Sequence, residues 1–185
     1  MLPDFATMCR GRISEVHNQD IASGITLHHQ TDALFHRLPF FVELYVETTG
    51  RLRERGVARG GARGAAHVAV ELVLDGALLD DSGACDRYLA AVELTASIRH
   101  DLSWQQSDQA ARWEHLCERL RKRGLPHGYR QPDSVAEYIA RILSGRPQLA
   151  LSRHEKDALR AELPALRDRV HARTAELIKA LRDGL

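Results

Sequence analysis

The chain has 185 residues, 44% of them hydrophobic and 28% charged, which is long enough to close a core and ordinary for a globular protein. Its 26 Lys and Arg nearly cancel its 25 Asp and Glu, leaving a formal charge of +1, so no overall charge argues for a nucleic-acid partner. No apolar run reaches the length of a membrane span, the N-terminus lacks the head and core of a signal peptide, and Cys9, Cys85 and Cys117 are scattered with no C-x-x-C, which speaks against a disulfide framework or a thiolate zinc site and for a reducing cytoplasm.

Helical spacing dominates in chain order. Leu27, Leu34, Phe35 and Leu38 form an apolar stripe that Pro39 interrupts. Phe40, Phe41, Leu44, Tyr45 and Leu52 suit a second helix, and Gly56–Gly64, rich in Gly and Arg, predicts a loop. Ala65 to Leu79 predicts a buried helix, and Tyr88 to about Arg99 another. Trp113, Leu116, Cys117 and Leu120 follow the i, i+3, i+4, i+7 pattern and stop at Gly124 and Pro126. Ser134 with Glu137, and Ser152 with Glu155, have capping-box spacing. Pro164 should break or kink the last helix, whose final apolar face is Leu166, Val170, Leu177, Ile178 and Leu181. There is no internal repeat and no sustained strand alternation. The expectation is an all-α protein, one helical bundle spanning residues 1–185.

Two ladders carry the chemistry. His28, Asp32 and His36 stand at i, i+4 and i+8, as do His67, Glu71 and Asp75. Four-residue steps keep side chains on nearly one helix face. Polar residues at this spacing also make an ordinary solvated face. Asp32 between two imidazoles, and Glu71 and Asp75 inside an apolar run, give the site reading its weight, because buried charges must be paired, protonated or metal-bound. Opposed in a bundle, the ladders would make a carboxylate and imidazole site. Such groups suit Mn²⁺, Fe²⁺, Zn²⁺ or Mg²⁺. Two basic stretches add an anion signal. Arg51, Arg53, Arg55, Arg59 and Arg63 form the first; Arg119, Arg121, Lys122, Arg123 and Arg130 form the second. The guanidinium fork suits phosphates and acidic protein surfaces. Neither a P-loop, a nucleophile elbow nor a His-Glu-x-x-His motif is present.

Leu2-Pro3-Asp4-Phe5, Gly24-Ile25-Thr26-Leu27-His28, Asp32, Pro39 and Arg146-Pro147-Gln148-Leu149, in that order, resemble the acyl-carrier-protein phosphodiesterase family, a divergent branch of the HD-type metal phosphohydrolases. The resemblance implies an HD-domain-like helical bundle. It also implies hydrolysis, with a divalent ion such as Mn²⁺, of the phosphodiester joining 4′-phosphopantetheine to a serine of acyl carrier protein. By resemblance Asp4, His28, Asp32 and Asp75 take the polar site positions, and Glu71 replaces an Asp. His29 stands where Arg is usual, His36 where a carboxylate is usual, and Gly76 where a His is usual. His67 and His36 would replace lost imidazoles. The family's usual first segment is absent before Leu2-Pro3-Asp4-Phe5, so by the resemblance a native start upstream of Met1 is expected. The expected metal ligands are Asp4, His28, Asp32, Asp75, His67 and His36. Asp32 and Glu71 would handle protons. Arg51, Arg55, Arg59, Arg63, Arg121 and Arg123 would bind phosphate or the acidic carrier. The alternative is a catalytically degenerate relative that acts as a helical binding protein.

Overall fold

A computed structural model describes residues 2–185. Among them are eight α-helices, two short 3-10 turns and one two-stranded sheet. The protein is an all-α helical bundle with a minor sheet. Its residues group into two compact units, Met1–Ala33 with Ser82–Leu125, and Leu34–Asp81 with Pro126–Leu185. No helix among the described residues is long and apolar enough to cross a membrane.

The first unit holds α1 (Leu2–Met8), β1 (Ile13–Val16), most of α2 (Gln19–Phe35), α5 (Ser82–Leu94), β2 (Leu102–Trp104) and α6 (Ser107–Arg123). Its core gathers Phe5, Cys9, Val92, Leu102, Trp113, Leu116 and Cys117. The apolar positions expected of α6 thus face inward. Gly124, at φ +66°, ends that helix where only glycine is comfortable. β1 and β2 pair antiparallel, with Ile13 opposite Trp104 and Val16 opposite Leu102 and a bulge between. Strands this short leave no alternation to detect in sequence, and the pairing closes across more than eighty residues.

The second unit is built around α4 (Arg59–Leu78). Helices α3 (Pro39–Glu54), α7 (Pro132–Ser144) and α8 (Arg153–Gly184) pack on it. Pro39 opens α3 at its first turn, where a missing N–H costs nothing. The segment expected to be a loop at Gly56–Gly64 is largely helical, since α4 begins at Arg59. Its glycines serve close approach. A Cβ on Gly61 would lie 2.9 Å from a Leu151 methyl, and one on Gly64 would lie 3.1 Å from a Leu143 methyl. Ala62, Ala65, Ala66 and Ala69 continue this small-residue face and are fully buried. Packing gain here overrides the low helix propensity of glycine.

The two helix-start expectations part company. Ser152 caps α8, and Glu155 reaches back to the Ser152 N–H at 2.8 Å. The same carboxylate accepts the Ala58 N–H at 2.8 Å, just before α4. Ser134 caps nothing: α7 starts two residues earlier, at Pro132, and Glu137 pairs with Arg160 instead. Pro at a first helical position outcompetes a later serine as the start signal. Pro164 does not break α8, which runs through it to Gly184. One lost hydrogen bond on the exposed side is outweighed by Leu163 and Leu166, both fully buried beside it.

A buried carboxylate ties α8 to α3. Glu162 is 1% exposed. It accepts from the Arg169 guanidinium at 2.9 Å, and Arg51 and Arg55 of α3 each lie 3.8 Å away. Three cations around one acid offset its desolvation.

Two outcomes test this packing. Gly76 lies against the Tyr129 backbone, where an added Cβ would collide with the carbonyl oxygen and lie 3.3 Å from the Arg130 nitrogen. Gly76→Ala should therefore cost about 2 kcal/mol in urea denaturation, despite alanine's better helix propensity. Glu155 is held below the usual carboxylate range, chiefly by the Ala58 N–H and then by the Ser152 backbone and hydroxyl. Its contribution is present above the ordinary carboxylate value and is lost as pH falls through the depressed one. Glu155→Gln should cost about 1 kcal/mol at neutral pH, the usual size of a partly solvated cap. The difference between the two proteins should close on acidification.

Candidate metal and anion site

The second ladder lies on the open face of α4. Arg63 precedes it by one turn, so Arg63, His67 and Glu71 follow one another at i, i+4 and i+8. His36, in the turn just after α2, comes from the first ladder to meet them. Its Nε2 lies 3.5 Å from Glu71 Oε1, and His67 Nε2 lies 3.2 Å from the same oxygen. The two imidazoles stack, with centroids 4.8 Å apart and planes 18° from parallel. Phe41 of α3 stands edge-on to both, at 4.5 Å from His36 and 5.3 Å from His67. This aromatic wall restricts both rings.

One donor atom from each of His36, His67 and Glu71 lies within 4.8 Å of the others, and no other such cluster occurs among the described residues. Tetrahedral ligands about 2.0–2.1 Å from zinc are roughly 3.3 Å apart, close to both measured carboxylate separations. Two neutral nitrogens and one carboxylate suit Zn²⁺, Mn²⁺ or Fe²⁺. All three residues are partly exposed, at 27% for His36, 45% for His67 and 36% for Glu71. A set of three protein ligands with access to solvent is the pattern of a catalytic rather than a structural ion.

Two members of the trio border a cleft of about 620 Å³, bounded by α3, α4, α7 and the 146–149 segment. His67 and Glu71 line it together with Arg63, Arg146 and Tyr45. The Arg63 Nε–H donates to the Tyr45 hydroxyl at 3.0 Å, which fixes the guanidinium while its terminal amino groups remain able to donate. Tyr45 in turn stacks on Phe41, 6.0 Å away with planes 5° apart. Among the described residues no carboxylate forms an ion pair with Arg63 or Arg146. Two uncompensated guanidiniums in one cleft favour an anionic ligand.

The other expected site residues are distributed differently. Asp4 and His28 meet in the first unit, with His28 Nε2 3.5 Å from Asp4 Oδ1. Burial pushes the His28 imidazole below its ordinary value despite that carboxylate. Burial there disfavours the charged imidazole and weakens the contact as an ion pair. His28 borders a mostly apolar pocket of about 280 Å³. Asp32 and Asp75 are exposed and stand outside the metal trio. Arg51 donates to Glu47 at 2.8 Å, and both it and Arg55 lie 3.8 Å from Glu162. Arg59 is exposed at the start of α4, and Arg121 and Arg123 are exposed in the last turn of α6. Arg121 faces a cleft it shares with Glu114 and Glu118, where charge is mixed. Tyr45, Phe41 and Arg146 are the contributors that sequence reasoning missed. For the two aromatics only their i, i+4 spacing on α3 could have signalled a shared face.

No protein-family model, curated protein or solved structure matches this chain.

The site has a direct test. Glu71→Gln keeps the size of the side chain and removes its charge. It should weaken Zn²⁺ or Mn²⁺ binding by about 10- to 100-fold in calorimetric titration. His36→Ala should do likewise. Unchanged affinity in both variants would exclude the trio as the metal site.

Proposed function

We propose that this chain is a divalent-metal-dependent phosphodiesterase, with the ion on His36, His67 and Glu71. The observation that carries the reading is one cleft lined by His67 and Glu71, two of the three members of the donor set, together with two guanidiniums that pair with no carboxylate among the described residues. When bound, a divalent ion there supplies Lewis acidity toward a phosphoryl oxygen and lowers the pKa of water. Arg63 and Arg146 would donate to the non-bridging oxygens and offset charge gained in the transition state. Tyr45 would hold Arg63 in place for that task. Phe41 would keep the imidazoles in one orientation. Glu71, whose Oε1 lies within reach of both imidazole Nε2 atoms, would complete the donor set as the third ligand.

The resemblance to acyl-carrier-protein phosphodiesterases supports a particular ester, the link between 4′-phosphopantetheine and acyl carrier protein. The exposed Arg121 and Arg123 suit an acidic carrier. A specific observation favours the second reading, a degenerate relative that only binds. Gly76, where the family has a histidine, packs so closely on Tyr129 that no side chain fits.

The deciding experiment incubates the Mn²⁺-loaded protein with pantetheinylated acyl carrier protein and, separately, with bis-p-nitrophenyl phosphate. The proposal expects nitrophenol release and loss of the prosthetic-group mass. Arg63→Ala should lower kcat/KM about 100-fold, and added salt should weaken carrier binding. Metal uptake without cleavage of either ester would favour the binding-only reading.

A further inference from the structure

The cleft is much larger than the anion its arginines would hold. At about 620 Å³ it falls in the range of sites for whole small molecules, and a bare phosphate would leave most of it as water. The remaining lining decides what fills that space. Val68 of α4, Ile142 and Leu143 of α7, and Leu149 are its other side chains. Ile142 is 53% exposed, a large apolar side chain left open to solvent at this cleft. Besides Gly60 and Gly64, which have no side chain, the lining has no Asn, Gln, Ser, Thr or Asp. Its single hydroxyl, on Tyr45, already accepts from Arg63. Beyond the arginines, His67 and Glu71, which the proposed function commits to metal and phosphate, and the Tyr45 hydroxyl, the lining offers no neutral polar side chain to read the edges of a nucleobase or the amides of a peptide-like arm. The one exposed aromatic face candidate, Tyr45, is already stacked on Phe41.

We infer that the cleft binds amphiphilic phosphoesters, with the phosphoryl group on Arg63 and Arg146 and an alkyl or similarly apolar ester arm against Val68, Ile142 and Leu149. This rests on the metal-and-phosphate reading of the site alone, not on the phosphopantetheine ester, and it ranks esters with a hydrophobic arm above nucleotides and above amide-bearing arms such as phosphopantetheine. Burial of each methylene multiplies affinity by up to about fourfold, so even partial burial gives a measurable dependence on chain length.

The test is calorimetric binding to the full chain, with and without Mn²⁺, of inorganic phosphate, ethyl phosphate, hexyl phosphate, AMP and 4′-phosphopantetheine. Hexyl phosphate should bind at least about tenfold tighter than ethyl phosphate in both conditions, and tighter than AMP or phosphopantetheine. Ile142→Asn, a change at a half-exposed position, should bring hexyl phosphate back to the affinity of ethyl phosphate. Equal affinity along the alkyl series, a stronger preference for AMP or phosphopantetheine, or an unchanged Ile142→Asn variant would overturn the inference. The chain-length dependence is read from binding and does not need turnover. A protein that prefers hexyl phosphate but cleaves no diester would refute the proposed activity and leave this inference standing.

Discussion

The second unit depends on how closely α4 can be approached. Gly61 and Gly76, with Ala62, Ala65, Ala66 and Ala69, make a face that neighbouring segments approach closely, Tyr129 through its backbone and Leu151 through its side chain. Such packing leaves little room for an added methyl, least of all at Gly76 against the Tyr129 backbone, because interiors are as dense as organic crystals. It also sets the direction of everything else on the helix. With this face turned inward, the residues on the opposite side must look outward, and these are Arg63, His67 and Glu71. Close packing on one side of α4 thus gives a rigid row of three functional groups on the other, and rigid elements hold sites more precisely than loops do.

Electrostatics divides the arginines into two classes. Arg51, Arg55 and Arg169 surround Glu162, and Arg173 pairs with Glu43 and Glu176. These cations are occupied with holding α3 to α8, and removing Glu162 would leave like charges facing one another. Among the described residues Arg63 and Arg146 pair with no such acid. Arg63 is held by a neutral hydroxyl instead, which orients the guanidinium without cancelling its charge. That difference separates structural arginines from ones available to a ligand, and side-chain identity alone does not reveal it.

The aromatic residues give the site its stiffness. Phe41 touches both imidazoles edge-on and carries Tyr45 on its other side. The positive edge and negative face of these rings favour such perpendicular contacts. A metal ligand whose ring cannot rotate loses little entropy on binding. His36, at a helix end rather than within a helix, gains its fixed position from this wall and from stacking on His67.

Sequence alone determined the helical class, the apolar face of α6, the capping box at Ser152 and the alignment of His67 with Glu71. All of these follow from local spacing, since a helix places i and i+4 on one face wherever it lies. Sequence alone also pointed to histidines and carboxylates as the chemistry-bearing residues. Tertiary structure decided which of them meet. His36 joins the second ladder while His28, eight residues earlier, sits beside Asp4. Arg51 and Arg55 turn to a buried glutamate while Arg63 faces a cleft. The glycines of 60–64 enter a helix because other segments press against them. Each of these outcomes rests on contacts between residues far apart in the chain, and spacing within one helix carries no information about which distant face it will meet.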